Sequence, residues 1–354
     1  MTQSNTTTFP RTIGMDLGSR KSSYCIVDPL GSRLDEGDLI SDKPKMRDFF
    51  EAQPSSRVVI EASSPSRWIA ELATSCGHEI VVANPREFRL ISESHRKTDR
   101  NDARILADFG QFRPHLLRPI KLRGVKCQIA RATLASRAHA VRQRTLLINL
   151  IRSQVRNLGE SLSGCTVANF HRTAPERIPA PLKPAIDPLL SILQGIVNAI
   201  AEYDNEIARL CTKEFPETAA LTQVNGVGPN TALSFVATIE DPTRFARSSD
   251  VGAYVGLVSK SRASGAKDPQ LRISKRGDKD LRRLLVTAAT YITGPRSRDS
   301  DLRRFGERLK ARGGQAAKAK ARIAVARKLS VLLHRLLVTG EVYEPLRNHP
   351  DAAA

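Results

Sequence analysis

The chain has 354 residues, of which 40% are hydrophobic and 5% aromatic, enough to bury a sizeable core in two or three domains. Its 56 Lys and Arg against 36 Asp and Glu give a formal net charge of +20. This charge favours nucleic acid as a partner, although a ribosomal protein or a protein on an anionic membrane surface would share it. The lack of an apolar run of about 18 residues argues against a membrane-spanning helix.

Residues 11–110 alternate between strand and helix patterns. Period-two and short apolar runs predict strands at about 12–17, 22–28, 34–39, 57–61 and 78–84. Helical spacing and capping signals predict helices at about 46–50, 66–76 and 85–94, and a capped helix from Thr98. We therefore predict an α/β domain over residues 11–115.

The composition changes after this region. Residues 111–160 contain Glu160 as their one acidic residue, and the heptad spacing of Leu134, Val141, Ile148 and Val155 predicts a long basic helix. After a Pro-, Ser- and Gly-rich break at about 161–188, apolar residues step by four and three: Leu189, Leu193, Ile196, Ile200, Tyr203, Ile207 and Leu210. We predict a helical, coiled-coil region over 120–214. Both an antiparallel helix pair within one subunit and a dimer contact fit this pattern.

The last region, 215–345, is predicted to be mainly helical. Its segment VNGVGPNTA has the glycine turn of a helix-hairpin-helix, in which Gly226 and Gly228 would let the backbone approach a phosphate. Many helix–turn–helix corners also contain Gly-x-Gly, so this motif alone is of moderate specificity. Basic residues follow densely from Lys260 to Arg283 around a Ser-Gly loop.

The five cysteines are scattered without a C-x-x-C pair, which indicates neither a zinc site nor a disulfide framework. The N-terminal segment MTQSNTTTFPRT lacks the charged-then-apolar order of a signal peptide. Both features favour a reducing cytoplasm.

Four acidic residues form the sharpest candidate site. Asp16 and Glu61 end predicted strands, whereas Asp99 and Asp102 share one helix face within the segment KTDRNDA. Carboxylates gathered at one sheet edge repel one another unless a cation lies among them, and oxygen ligands with substrate phosphate suit Mg²⁺. Two such ions about 3.5–4 Å apart would stabilise both oxygens of a phosphodiester exchange. The structural alternative is that these residues cap strands, turns and a helix.

Two further patterns leave the chemistry open. Ser264, in the loop SRASGAK, needs an activating base or metal to act as a nucleophile, and taken alone it fits a turn serine. The segment GMDLGSRKSSYCIVD also fits the first phosphate loop of a sugar-kinase or actin-like ATPase. A second phosphate loop and an adenosine-binding segment, which that class requires, are not found in the sequence.

Taken together, these segments resemble a known family, the DEDD transposases of bacterial insertion sequences, which are relatives of the Piv DNA invertase. The resemblance runs in order from about residue 11 to 340. It rests on GMDLGSRKSSYCIVD, VVIEASSPSRW, ANPREFRLISESHRKTDRNDARILAD, VNGVGPNTA and YVGLVSKSRASGAKDPQLRISKRGDKDLRRLL. The KTDRNDA and SKRGDKDLRRLL blocks are its most specific parts.

The resemblance implies a RuvC-like RNase H fold whose quartet, Asp16, Glu61, Asp99 and Asp102, binds Mg²⁺, two ions in our expectation. It also implies that Ser264 attacks the DNA phosphodiester and forms a covalent phosphoserine link. Expected partners are donor and target DNA, a guide RNA encoded by the element, and further copies of the chain as a dimer or dimer of dimers. The expected nucleic-acid contacts are Gly226, Gly228, Arg262, Lys267, Arg272, Lys275, Arg276, Arg282 and Arg283.

Two alternatives remain open beside this expectation. One is a Holliday-junction-type nuclease in which metal-activated water attacks and Ser264 is structural. The other is a basic nucleic-acid-binding protein without catalytic activity. We expect the protein in the cytoplasm, associated with the nucleoid, and not at a membrane.

Overall fold

The computed structural model describes residues 9–85, 98–260 and 271–348. The predicted helix at 85–94 and the loop that contains Ser264 lie largely outside the described residues. The chain divides into two compact units, residues 1–122 and 123–354.

The first unit is built on a mixed five-stranded sheet in the order β3-β2-β1-β4-β5. The strands are β1 Thr12–Asp16, β2 Lys21–Val27, β3 Arg33–Ile40, β4 Arg57–Glu61 and β5 Glu79–Ala83. Strands β1, β2 and β3 pair antiparallel, whereas β1, β4 and β5 run parallel. All five predicted strands are confirmed, within a few residues at their ends.

Helices cover both faces of this sheet. Helices α1 (Lys43–Glu51) and α2 (Ser66–Ser75) enclose one core, in which Ile13, Met15 and Ile60 are fully buried. Helix α3 (Asp99–Phe112) covers the opposite face. Because side chains alternate along a strand, the odd and even positions of β1 and β4 are buried in different cores.

In the second unit, helix α4 (Val125–Asn157) packs antiparallel to helix α5 (Lys183–Lys213) within the same chain. The start of α4 meets the end of α5 in one core cluster, and the end of α4 meets the start of α5 in another. Between them, Arg137 donates to Asp204 at 2.6 Å. This packing is the intramolecular alternative of the heptad interpretation.

The boundary of the predicted break at 161–188 is wrong, because α5 begins at Lys183. Pro184 lies in the first turn, where a missing backbone N–H costs little, and Pro188 is accommodated inside the helix. By length and composition alone, 180–213 is the one described helical stretch apolar enough to cross a membrane. Its heptad residues Leu193, Ile200 and Ile207 are buried in the protein core.

A short α-helix, Phe170–Thr173, lies between α4 and α5, and the described residues after α5 form six more α-helices: α6 Thr218–Thr222, α7 Pro229–Ile239, α8 Asp250–Tyr254, α9 Lys279–Ile292, α10 Asp301–Lys310 and α11 Gln315–Thr339. Helix α7 is the centre of the core, with every residue from Thr231 to Ile239 buried. Cys127 and Ala130 of α4 and Leu210 of α5 belong to this same core. The predicted helical region and the predicted C-terminal region therefore share one hydrophobic core.

Candidate functional site

Asp16 and Glu61 occupy equivalent positions at the ends of two neighbouring parallel strands. Met15 of β1 pairs with Ile60 of β4, so the next residue of each strand is one of the two carboxylates. Both residues are half-buried. Since carboxyl ends of adjacent parallel strands lie at the same sheet edge, the sequence pattern correctly predicted this placement.

Helix α3 covers the sheet face on which Asp16 and Glu61 lie. Gly14 precedes Asp16 by two positions, so both lie on one face, and a Cβ on Gly14 would lie only 2.9 Å from the Cα of Ala107. Val59, two positions before Glu61, packs against Leu106. Because Gly14 has no side chain, the backbone of α3 can contact β1 directly.

The first turn of α3 lies towards the Asp16 end of β1. Near the beginning of β1, the Thr12 hydroxyl donates to Gln111 at 2.6 Å, and the middle of the strand, at Gly14, meets Ala103 and Ala107. The helix therefore runs antiparallel to β1. Extending this direction by one more step brings the turn with Asp99 and Asp102 beside the end of β1.

The helix cap separates two interpretations of the aspartate pair. Thr98 is the N-cap, and its hydroxyl accepts from the Asn101 backbone N–H at 3.2 Å. Asp99 is exposed, whereas Asp102 is 6% exposed and faces the sheet side of the helix. Because Thr98 performs the capping role, that role does not account for either aspartate.

The four side chains fit a hard divalent cation, since all are carboxylates and the three elements that carry them, β1, β4 and α3, converge on one sheet face. Within the described residues, however, no group of three or more Asp, Glu, His and Cys side chains is close enough to form a metal cage. The four positions are therefore a converging set of ligands and not a closed site.

Two arginines of the KTDRNDA helix bind acids on the neighbouring strand β3. Arg100 donates to Asp38 at 2.7 Å, and Arg104 donates two hydrogen bonds to Glu36 at 2.8 and 2.6 Å. These two cations therefore neutralise acidic residues of β3. We call the two pairs the α3–β3 ion-pair ladder.

Asp38 is the more heavily engaged rung of this ladder. Its carboxylate also accepts from the Ser23 hydroxyl at 2.7 Å and from the Lys21 ammonium at 2.8 Å. Arg100, Lys21 and Ser23, in that order, hold the pKa of Asp38 well below its ordinary value. Ser23 pairs directly with Asp16 across the sheet, so the ladder lies two strands from that carboxylate.

The sequence interpretation missed this ladder. Its signal was present as acids at alternate positions of β3 and arginines four residues apart on α3. The pairing joins residues 62 and 68 positions apart, and only the tertiary arrangement reveals it.

The glycine turn of the second unit has two different roles. Gly226 has φ +89°, and a Cβ there would lie 3.1 Å from Tyr291 Cδ1, so this glycine is required by the turn and by packing on α9. Gly228 is exposed at the N-cap of α7, with open space beside it. Of the two predicted phosphate contacts, the structure therefore leaves Gly228 accessible and packs Gly226 against protein.

The predicted basic contacts also differ in their surroundings. Arg272, Lys275 and Arg276 are exposed, and Arg283 is exposed beside Asp280 at 3.5 Å. Arg282 instead donates to the backbone carbonyls of Val255 and Arg276 at 3.1 and 3.0 Å, which indicates a structural role.

Arg262, Ser264 and Lys267 lie outside the described residues. The described residues on the two sides of this segment, 261–270, lie next to each other, because Ser259 and Ile273 form an antiparallel bridge. The Lys260 backbone N–H donates to the Arg272 carbonyl at 3.0 Å, directly before the loop.

The chain is similar to known transposases over both units. Residues 13–159 match the DEDD family of IS110, described as transposase, and residues 218–305 match the family described as transposase IS116/IS110/IS902. The DEDD match fits a RuvC-like fold for the first unit.

Several curated relatives agree with this result over most of their length. The transposase for insertion sequence element IS1111A of Coxiella burnetii is 26% identical over 94% of this chain and 90% of its own. The transposase for insertion sequence element IS1328 of Yersinia enterocolitica is 29% identical over 78% of this chain and 82% of its own. A probable family 20 transposase of Pseudomonas aeruginosa is 26% identical over 86% of this chain and 90% of its own. With both domains matched, the chain belongs to the IS110/IS116 family of insertion-sequence transposases.

Proposed function

We propose that this transposase cleaves and exchanges DNA strands with Mg²⁺ held by Asp16, Glu61, Asp99 and Asp102, and with Ser264 as nucleophile. The observation that carries the metal half is the convergence of two strand ends and the first turn of α3 on one sheet face. The serine half is supported by the family resemblance of the loop SRASGAK.

Bound Mg²⁺ would supply charge stabilisation to the attacking and leaving oxygens of the phosphodiester. The contribution of the protein is to fix the ligand positions before substrate arrives. Asp16 and Glu61 are fixed by parallel strand pairing, and Asp102 is fixed by its burial between α3 and the sheet. Such preorganisation avoids reorganisation of the ligands during the reaction.

In the serine step, the Ser264 oxygen forms a new bond to phosphorus as the bond from phosphorus to a sugar oxygen breaks. The hydroxyl proton leaves the serine, and the departing sugar oxygen takes up a proton to become a free hydroxyl. A sugar hydroxyl of the other duplex then attacks the phosphoserine and releases the serine. Since one phosphodiester replaces another at each stage, strand exchange requires no external energy source.

An RNA encoded by the element would provide the sequence specificity, as the resemblance implies. Base pairing would then recognise donor and target DNA, and the protein would contact mainly backbone and shape. A chain with a net charge of +20 and 5% aromatic residues suits this division. Exchange between two duplexes needs at least two active sites, so we propose a dimer or a dimer of dimers acting on DNA in the cytoplasm.

The test compares purified native protein with the variants Asp102→Asn and Ser264→Ala, each supplied with Mg²⁺, RNA transcribed from the element and its end DNA. The native protein should give a protein–DNA adduct that survives denaturation, and both variants should lose it. Cleavage without an adduct in the Ser264→Ala protein would refute the serine step and favour metal-activated water. Cleavage by the Asp102→Asn protein at the native rate would refute the metal site.

The RNA component has its own measurement. RNA that co-purifies with the native protein from cells carrying the whole element should derive from the non-coding end of that element. Efficient strand exchange by protein stripped of RNA would exclude RNA guidance.

A further inference from the structure

The second unit contains a large groove to which the proposed function assigns no role. Its volume is 1140 Å³, and it lies between α10, α11 and the C-terminal segment 341–348. Its lining includes Ser259 and Arg272, each of which lies two residues outside the segment 261–270 that contains Ser264. The family match ends at residue 305, so the α11 wall of the groove lies beyond the matched residues.

The groove is strongly cationic. Eight Lys and Arg line it against three acidic residues. One of these acids, Glu341, already binds Arg335 at 2.8 Å and Arg347 at 2.9 Å. In contrast, six lining cations form no ion pair with any other residue that the structure describes: Arg272, Lys275, Arg312, Lys320, Arg327 and Lys328. An anionic ligand would therefore meet cations that the fold has not neutralised.

The floor of the groove is apolar and partly aromatic. It is formed by Leu257, Leu302, Phe305, Ile323, Val331 and Leu332. The Lys328 ammonium lies 4.1 Å from the centre of the Phe305 ring, which places a cation and an aromatic face side by side. A ligand that fits must combine a row of negative charges with apolar faces.

A nucleic-acid single strand has this combination, because its phosphates and the faces of its bases are both accessible. A duplex presents its phosphates outward and keeps the base faces stacked inside, so the apolar floor would contribute little to its binding. The wall of α11 from Ala319 to Leu336 is about 26 Å long, since a helix rises about 1.5 Å per residue. At about 3.4 Å per stacked nucleotide, this length accommodates about seven nucleotides.

We propose that this groove binds the single DNA strand that flanks the phosphodiester attacked by Ser264. The proposal rests on the proposed function for the choice of DNA, because the strand beside the serine loop is the strand that the serine attacks. Arg312, Lys320 and Arg327 contact its phosphates, and the apolar floor with Phe305 contacts its bases.

The test uses full-length protein and a ten-nucleotide DNA strand in EDTA, so that binding is measured without cleavage. The groove variant is Arg312→Gln with Lys320→Gln, both of which are exposed. The matched control is Lys318→Gln with Arg322→Gln, which removes the same charge from exposed positions of α11 outside the groove lining. Melting curves verify that both variants are folded.

Binding of the strand is measured by fluorescence anisotropy over a range of salt concentrations. The slope of log K against log salt should decrease by about 1.4 in the groove variant, or about 0.7 for each lost phosphate contact. This corresponds to roughly tenfold weaker binding at 0.15 M salt. The control variant should bind as the native protein does.

Equal losses of affinity in the two variants would refute binding in the groove, because they would indicate binding to the basic surface in general. Tighter binding of a duplex, or of RNA of the same sequence, would overturn the assignment to single-stranded DNA. A 5-iodouracil placed next to the cleavage site should photocrosslink to a peptide containing Phe305 or Tyr343, and crosslinks confined to other peptides would contradict the proposal. Specific binding by protein that never cleaves DNA would support the groove while refuting the proposed function.

Discussion

Substitution of Gly14 by alanine tests whether direct contact of α3 with β1 assembles the candidate site. The new Cβ would lie 2.9 Å from the Cα of Ala107 and closer still to the Ala103 carbonyl oxygen. Carbon atoms in contact are normally about 3.5 Å apart, so the helix and strand must separate by at least about 0.6 Å. The clash is with backbone atoms, which cannot change rotamer to avoid it.

Overpacking of this kind costs about 1–3 kcal/mol of folding free energy. For a unit of 122 residues this lowers the melting temperature by roughly 4–12 °C. The separation also moves the turn with Asp99 and Asp102 away from Asp16. We therefore expect Gly14→Ala to lose DNA cleavage at temperatures where the protein is still folded.

Gly110→Ala is the matched control. A Cβ at Gly110 would clash with the Val59 side chain, so it disturbs the same helix–sheet contact. It lies eight residues from Asp102, about 12 Å along the helix, at the end remote from the site. Calorimetry and a cleavage assay at several temperatures should show similar losses of stability, with cleavage lost in Gly14→Ala well before Gly110→Ala. Equal cleavage by the two variants at equal folded fractions would refute the reasoning.

Four further predictions concern other residues of the chain. Because Arg100 of α3 donates to Asp38, the Asp38→Asn variant should hold the first turn of α3 less firmly and raise the Mg²⁺ concentration for half-maximal cleavage; unchanged Mg²⁺ dependence would exclude a positioning role for Asp38. Because the pKa of Asp38 is depressed on folding, its stabilising contribution is present above the unfolded pKa of about 3.9 and is lost only as pH falls through the lower folded value. Carbon NMR should therefore find this carboxylate still ionised at pH 4, and half-protonation there would contradict the ladder. Gly195→Ala, inside α5 with no heavy atom within 4 Å of the new Cβ, should stabilise the protein by about 0.8–1 kcal/mol in denaturant unfolding; a destabilised variant would show that the site is more crowded than the structure has it. His78→Ala should destabilise by about 1–3 kcal/mol for each backbone group left unpaired, since the buried imidazole accepts one backbone N–H and donates to one backbone carbonyl; an unfolding free energy within about 0.5 kcal/mol of native would refute this.

The sheet was predictable from the sequence because its signals are local. The run RVVIEA and the alternation in β2 define strands by themselves, and Thr98 followed by an apolar period defines the start of α3. Asp16 and Glu61 were predictable as neighbours because strand ends in a parallel pair meet at one edge. These parts depend on periods of two to four residues, which a single sequence displays.

The remaining features depend on tertiary contacts, which such periods do not encode. Gly14 and Gly110 are ordinary strand and helix positions in the sequence. Only the close approach of α3 to the sheet explains why glycine, and no larger residue, occupies them. The start of α5 was placed too late because prolines were interpreted as breakers, although Pro184 in a first turn is compatible with a helix. Arg282 was grouped with nucleic-acid contacts by charge, but its guanidinium donates to the Val255 carbonyl.

The distribution of paired and unpaired cations suggests how the two units divide the work. In the first unit, several arginines are held in ion pairs: Arg57 with Glu79, Arg100 with Asp38 and Arg104 with Glu36. The charge of these arginines therefore stabilises the fold around the carboxylate quartet. In the second unit, six of the eight groove cations have no acidic partner among the described residues, whereas Arg335 and Arg347 pair with Glu341. Affinity for a polyanion depends on cations that can release counterions, whereas a carboxylate site depends on rigid placement. The salt dependence of DNA binding should therefore be determined mainly by the second unit, and the Mg²⁺ dependence of cleavage mainly by the first.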